Sequence, residues 1–232
     1  MMVGFQGLVK KFCLPKVTQP TSQSIRSAIQ NVLNEIYIKL VHRTSLKKIR
    51  NFRNFDDLKL NLGCGPNLKE GWVNIDLMAN ADLNLDLRKP LPFQNDSCLI
   101  VYSEHFFEHL DYPDMAHSFL KECFRVLKPG ALFSIVVPDI ALVLDSYVKG
   151  GTAEYYQAQQ RWHPKWCQTQ MEHINYNFRQ DGEHRFCYDM ETLKKLLESV
   201  GFLDVHQRSF DPELDTPERI TGSLYVNCRK PS

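Results

Sequence analysis

Between Ser24 and Arg43 the apolar residues Ile25, Ala28, Ile29, Val32, Leu33, Ile36 and Leu40 recur at helical spacing. That spacing predicts one amphipathic helix over 24–43. Its stripe must bury against the body or a second subunit, so the helix is a candidate homodimer contact. From Leu58 the period changes. Leu58-Lys59-Leu60-Asn61-Leu62 predicts a strand, Gly63-Cys64-Gly65-Pro66-Asn67 a turn, and 72–76 and 83–86 two further strands. Residues 98–103 read as a buried strand. Asp111, Pro113 and Asp114 predict a helix start, with Phe119, Leu120, Cys123, Phe124 and Leu127 as its buried face. The helix should stop at Lys128-Pro129-Gly130. Residues 132–137 predict a strand ended by Pro138, and 189–200 a helix closed by Gly201. Strands near 202–205 and 223–228 complete the pattern.

Strands alternating with helices imply a mainly parallel sheet with helices on both faces. About sixteen residues without helical pattern join the last two strands, too plain a link for a crossover, so the final strand should run antiparallel. The expected fold is therefore α/β and Rossmann-like, a seven-stranded sheet with an antiparallel last strand. Two regions are expected: a basic extension over 1–57 with one amphipathic helix, and a body over 58–232 with an aromatic-rich insert at about 150–187. Ligands of such sheets sit at the carboxyl ends of the strands.

Charge sharpens the division. Residues 1–55 hold ten Lys and Arg against one acid, Glu35, a balance of +9; the other 177 residues balance to −8. A basic arm points to an anionic partner or to a solvated extension, while the acidic body disfavours wholesale nucleic-acid binding. The seven cysteines, Cys13, Cys64, Cys98, Cys123, Cys167, Cys187 and Cys228, form no C-x-x-C pair, which fits a reducing, cytoplasmic setting. No apolar run approaches the roughly 20 residues of a membrane span. The first ten residues lack the positive head of a signal peptide.

Gly63-x-Gly65 follows the first strand directly, where glycines let a ligand approach the backbone. A dinucleotide fingerprint would need a third glycine at position 68, which is Leu, and an acid about 20 residues on; Asp76 comes too early for that. The span 66–71 holds barely a helical turn, so a pyrophosphate would lack its helix N-terminus. A cofactor with a ribose and no phosphate loses less. Asp76 could accept from two ribose hydroxyls and Asp86 from an exocyclic amine.

Leu60-Asn61-Leu62-Gly63-Cys64-Gly65-Pro66 resembles motif I of the class I S-adenosylmethionine-dependent methyltransferases. Asp76 matches that family's ribose-binding acid, and Asp86-Leu87 its adenine-binding segment. Ser103-Glu104-His105-x-x-Glu108-His109-Leu110 resembles the segment after strand four. Phe124-Arg125-Val126-Leu127-Lys128-Pro129-Gly130-Ala131 resembles the link into strand five, and His184-Arg185-Phe186-Cys187-Tyr188-Asp189 a later segment of the type 11 branch. The resemblance runs from about 58 to 205. It implies S-adenosyl-L-methionine as cofactor, with Gly63, Cys64, Gly65, Asp76, Leu77, Asp86, Leu87 and Ser103 around it.

A sulfonium methyl is already activated, so the protein need only align the reactants and exclude water. A base helps when the acceptor has a proton to lose. His184 is the first candidate, followed by Glu104, His105 and Asp139; the rival role for His184 is capping the helix at 189. His105-x-x-Glu108-His109 also fits the H-x-x-E-H zinc pattern if helical, but it follows a strand and no third ligand stands out. Cys167, His173, His184 and Cys187 match no standard zinc spacing, and no metal is expected. Tyr155, Tyr156, Trp162, Trp166, Tyr176 and Phe178 suggest a cover for an acceptor site or a locally packed insert. The expected activity is methyl transfer to a small-molecule or sugar (glycan) hydroxyl. Its rivals are a nucleic-acid methyltransferase using the basic arm, a non-catalytic cofactor-binding subunit and a nicotinamide dehydrogenase.

Overall fold

The computed structural model describes residues 22–49, 56–151 and 153–232. The tail over 1–21, with Cys13, and most of the connector before the first strand lie outside the described residues. Contacts divide the chain into two units, 1–40 and 41–232.

Most of the first helix, α1 (Ser22–Lys48), belongs to the smaller unit and runs longer than the apolar pattern predicts. Its stripe is open to solvent: Ile25, Ile29, Val32, Leu33, Ile36 and Leu40 are all more than half exposed, or at half for Ile36. No helix among the described residues is long and apolar enough to cross a membrane.

The larger unit is built on one six-stranded sheet in the order β2-β1-β3-β4-β6-β5. Its strands are β1 (Leu58–Leu62), β2 (Val73–Ile75), β3 (Cys98–Glu104), β4 (Leu127–Pro138), β5 (Leu203–Gln207) and β6 (Ser223–Arg229). The first four pair in parallel, and β6 runs antiparallel to both β4 and β5. The seven-stranded expectation is corrected to six. Residues 83–86 contribute a single bridge, Ile75 with Leu83, in place of a strand. The reason lies in the backbone partners. Asn84 N donates to Ser45 Oγ and Asp86 N to His42 Nδ1, so the end of α1 satisfies groups that a ladder would otherwise use.

Helices α2 (Asp114–Val126), α3 (Ile140–Val148), α4 (Ala153–Gln159), α5 (Gln170–Arg179) and α6 (Met190–Val200) complete the unit. The first of them begins later than Asp111 predicts. Pro113 occupies its N-cap without a side-chain bond, and Asp111 supplies only its carbonyl, to Met115 and Ala116. One face of α2 (Phe119, Leu120, Cys123) and one of α6 (Leu193, Leu197) join the main core with Leu60, Leu62, Val101, Phe133 and Ile135. Burying each such side chain contributes roughly 1.5–3 kcal/mol. The insert has a core of its own: Ile140 and Val143 of α3 meet Tyr155 of α4 and Ile174 of α5. That packing fixes α4 and α5 beside the carboxyl end of β4. Thr169 starts α5 with a full capping box to Glu172.

Candidate functional site

The carboxyl ends of β1 and β2 hold the glycine turn. Gly63 and Gly65 have φ of +68° and +52°. A Cβ at Gly63 would stand 2.4 Å from Phe106 Cβ, whereas one at Gly65 would meet nothing within 4 Å. The first glycine is needed for packing as well as conformation, the second for conformation alone. Asp76 ends β2 and braces the turn: Oδ2 accepts from Gly65 N at 2.9 Å and Oδ1 from Met78 N at 2.9 Å. Each oxygen keeps a second lone pair, which is what two ribose hydroxyls would require.

Asp86 is buried and largely committed. Its carboxylate accepts from Arg88 Nε at 2.8 Å, from Arg88 Nη2 at 3.1 Å and from Arg88 N at 3.1 Å. Burial alone would raise its pKa, but the hydrogen bonds and charge of Arg88 outweigh it and hold the carboxyl below its ordinary range. Of about four acceptor positions on a carboxylate, one is left for an amine. Leu87 is buried beside it, and Leu77 is half-buried after Asp76. Cys64 is a buried thiol, pushed up to about 12 chiefly by burial and then by Asp76, so it is no nucleophile. Ser103 Oγ is fully buried with no hydrogen-bond partner among the described residues. A polar ligand at the end of β3 would satisfy it. These donors and acceptors fit a nucleoside-linked amino acid.

A loop after β5 lies over the ends of β1 and β3. Asn67 Nδ2 donates to Thr216 Oγ1 at 3.0 Å, Thr216 N to Glu104 Oε1 at 3.2 Å, and Lys69 Nζ to the carbonyl of Leu214. Its anchor is a buried ion pair: Arg208 grips both oxygens of Asp215 at 2.5 and 2.6 Å, and Tyr102 donates to Asp215 Oδ1 at 3.0 Å.

Beyond β3, β4 and the start of β6, the insert roofs a cavity of about 280 Å³. His105, Glu108, Gln159, Trp162, His184 and Ser223 are among its walls. His105 sits at φ +51°, directly after β3. Ser223 Oγ donates to the carbonyl of Arg219, so it accepts from His105 Nε2 at 2.8 Å. His105 Nδ1 faces Glu108 Oε1 at 3.5 Å. His184 Nδ1 lies 2.6 Å from the carbonyl of Asn177, and a carbonyl only accepts, so Nδ1 carries the hydrogen and Nε2 the lone pair. That nitrogen is 4.0 Å from Glu108 Oε1. Burial keeps the His184 imidazole below its ordinary pKa, against the Asn177 carbonyl and Glu108, which push it up. Burial of Glu108 would raise its carboxyl; the contact and charge of His105, and the charge of His109, overcome this and lower it.

Of the four candidate bases, the fold brings His105 and His184 to the cavity and gives the other two different work. Glu104 binds Thr216, and Asp139 caps α3 by accepting from Leu142 N at 3.1 Å. His184 does not cap α6, where Asp189 does so through Thr192 N; its Nδ1 instead donates to a carbonyl in the last turn of α5. The H-x-x-E-H segment is not an α-helix either: only 107–109 turn, as a 3-10 helix. Cys167 and His173 do come together, with His163, while His184 and Cys187 instead share the Asn177 carbonyl. The sequence placed Glu108 in the H-x-x-E-H pattern and His163 in the aromatic insert without giving either a place in the site, and the structure puts both on the cavity wall.

Residues 60–135 match the model of a methyltransferase domain. No curated protein matches the chain. Among solved structures, an S-adenosylmethionine-dependent methyltransferase from Archaeoglobus fulgidus is 19% identical, with a TM-score of 0.46 over 83% of this chain and 94% of that one. A phosphoethanolamine N-methyltransferase 2 from Haemonchus contortus, bound to S-adenosyl-L-methionine, is 13% identical, with a TM-score of 0.48 over 82% and 53%. The matched segment contains the glycine turn, Asp76, Asp86 and the strand ending in Glu104, so the part of the chain that is similar to a methyltransferase domain is the part that builds the glycine-turn site.

Proposed function

We propose that this enzyme methylates a hydroxyl of a small polar acceptor, a sugar or a similarly hydroxylated molecule, held in the cavity under the insert. The observation that carries the reading is the cavity itself. At about 280 Å³ it is close to the lower end of small-molecule sites, and it combines the faces of Trp162 and Tyr176 with Gln159, Asn177 and His184. Ring faces suit the apolar face of a sugar, and the amides suit its hydroxyls.

Gly63, Cys64 and Gly65 would receive the methionine end of the cofactor by close backbone approach. Asp76 and Leu77 would take the ribose, Asp86 and Leu87 the adenine edge, and Ser103 a polar atom at the end of β3. S-adenosyl-L-methionine supplies, when bound, a methyl group on a positively charged sulfur. The chain's own work is alignment, exclusion of water and activation of the hydroxyl. His184 carries that activation, because its lone-pair nitrogen borders the cavity and Glu108 stands behind it to stabilise positive charge there.

The test is calorimetry with S-adenosylhomocysteine followed by an acceptor panel of sugars, small phenols and oligonucleotides, read as gain of one methyl group. Methylated sugars or small hydroxylated molecules support the reading. A nucleic acid as the sole substrate, with binding that falls steeply with salt, overturns it.

A further inference from the structure

We propose that Glu108, His109 and His184 form a site for one divalent transition-metal ion of the zinc or iron type, open toward the cavity. The inference deepens the reading of that cavity as the acceptor site, and the ion is the means by which His184 activates the hydroxyl.

Three observations converge. First, ligand atoms of Glu108, His109 and His184 all lie within 4.8 Å of one another. Second, both histidines are held from behind. His184 Nδ1 meets the Asn177 carbonyl at 2.6 Å and His109 Nδ1 meets the Glu183 carbonyl at 3.2 Å. Because carbonyls only accept, each Nδ1 bears its hydrogen and each Nε2 is a lone-pair nitrogen. Metal-binding histidines are oriented by such backbone carbonyl bonds. Third, Glu108 is 1% exposed and its Oε2 has no hydrogen-bond partner among the described residues. A buried carboxylate oxygen left without a donor is costly, and a cation would satisfy it.

The backbone fixes the trio further. Arg185 N and Phe186 N both donate to the carbonyl of Glu108, at 2.8 and 3.3 Å, which clamps the His184 segment against the turn bearing Glu108 and His109. Donors bound at ~2.1 Å from an ion stand roughly 3–3.4 Å apart, so His184 Nε2 and Glu108 Oε1, now 4.0 Å apart, need approach by less than about 1 Å. Two imidazoles and one carboxylate leave coordination positions open, as catalytic zinc and non-haem iron sites do, and imidazole selects against magnesium and calcium. The acceptor hydroxyl would bind an open position through its oxygen. The ion lowers the hydroxyl's pKa, its proton leaves to solvent, and the oxygen's electron pair forms the new bond to the methyl carbon as the carbon–sulfur bond breaks.

The experiment uses the full chain without an affinity tag, stripped of metal by a chelator. Zn(II) is titrated by calorimetry and Co(II) by its visible absorption, with Mg(II) for comparison. One equivalent of Zn(II) or Co(II) should bind, and E108Q and H109A should each weaken it at least 10-fold. C167S, which disrupts the separate trio of His163, Cys167 and His173, should leave that site unchanged. If E108Q does not fold, as judged by its melting, the half-buried His109 position carries the test alone. No stoichiometric binding, or binding indifferent to H109A, overturns the proposal. Once an acceptor is found, chelation should abolish methyl transfer and Zn(II), Fe(II) or Mn(II) should restore it; undiminished transfer by the stripped enzyme overturns the proposal and leaves the assigned function standing. Metal binding without transfer to any hydroxyl supports the site and removes the acceptor assignment.

Discussion

The proposed cofactor side and the proposed acceptor side of this molecule are assembled in opposite ways. The glycine turn, Asp76 and Asp86 come from one short stretch of chain, and bonds from nearby backbone amides brace the two carboxylates: Gly65 N and Met78 N to Asp76, Arg88 N to Asp86. The cavity draws on Glu108, Gln159, His184 and Ser223, residues far apart in sequence that only the packed insert and the antiparallel β6 bring together. Local bonding makes a site tolerant of what happens elsewhere; long-range assembly makes it depend on the whole top of the sheet. Perturbing the two sides should therefore give separable results.

The largest effect should come from Asp215→Ala. It leaves Arg208 half-paired under the loop that crosses the ends of β1 and β3, and losing one partner of a buried pair costs about 3–5 kcal/mol. Chemical denaturation measures it. Stability within about 1 kcal/mol of wild type would show that the loop anchor contributes little. Next, Gly63→Ala should be much worse than Gly65→Ala. The first meets Phe106 at 2.4 Å as well as the positive φ, for roughly 3 kcal/mol; the second meets only the φ cost of about 1–2 kcal/mol. Equal losses would mean that Phe106 shifts freely.

How far each side was legible follows from the same contrast. Leu58 to Asp76 could be read because an alternating strand, two glycines and an acid lie in sequence order, and β1 and β2 form where the pattern places them. The segment over 83–86 misled for a physical reason. Its alternating leucines are buried as in a strand, yet its amides bond His42 and Ser45, and no local pattern announces a partner some forty residues upstream. Glu108 was legible only as part of the H-x-x-E-H pattern, without its distant partner. Its importance comes from His184 and the orphaned Oε2, and neither is visible until 184–186 pairs with the turn at 107–109. Glu104, by contrast, looked like a candidate base because it ends a strand, and only the returning loop reveals Thr216 as its partner.

A smaller effect should appear on the cavity side alone. Trp162→Ala should lower kcat/KM for a sugar acceptor at least 10-fold and leave S-adenosylhomocysteine affinity unchanged, a loss of ~1.4 kcal/mol in transition-state binding. An equal loss of cofactor affinity would mean that the two sides are one site. The smallest is a pH effect on the insert. His163 and His173 meet nitrogen to nitrogen at 2.6 Å, and burial lowers both pKa values, that of His163 from 6.5 to about 4. The unfolded chain then binds more protons than the folded one between those values. Stability should be level above pH 6.5 and fall as the pH drops from 6.5 toward 4. H163N together with H173N should flatten that decline in a melting series; an unchanged slope would place the acid sensitivity elsewhere.

The most direct test of the whole account is one calorimetric comparison with S-adenosylhomocysteine across wild type, Asp76→Ala and His184→Ala. Wild type should bind one equivalent, Asp76→Ala should bind at least 10-fold more weakly, and His184→Ala should bind as wild type does. Absence of binding to wild type, or identical affinity in wild type and Asp76→Ala, would contradict the assignment of the glycine turn and its acid as the cofactor site.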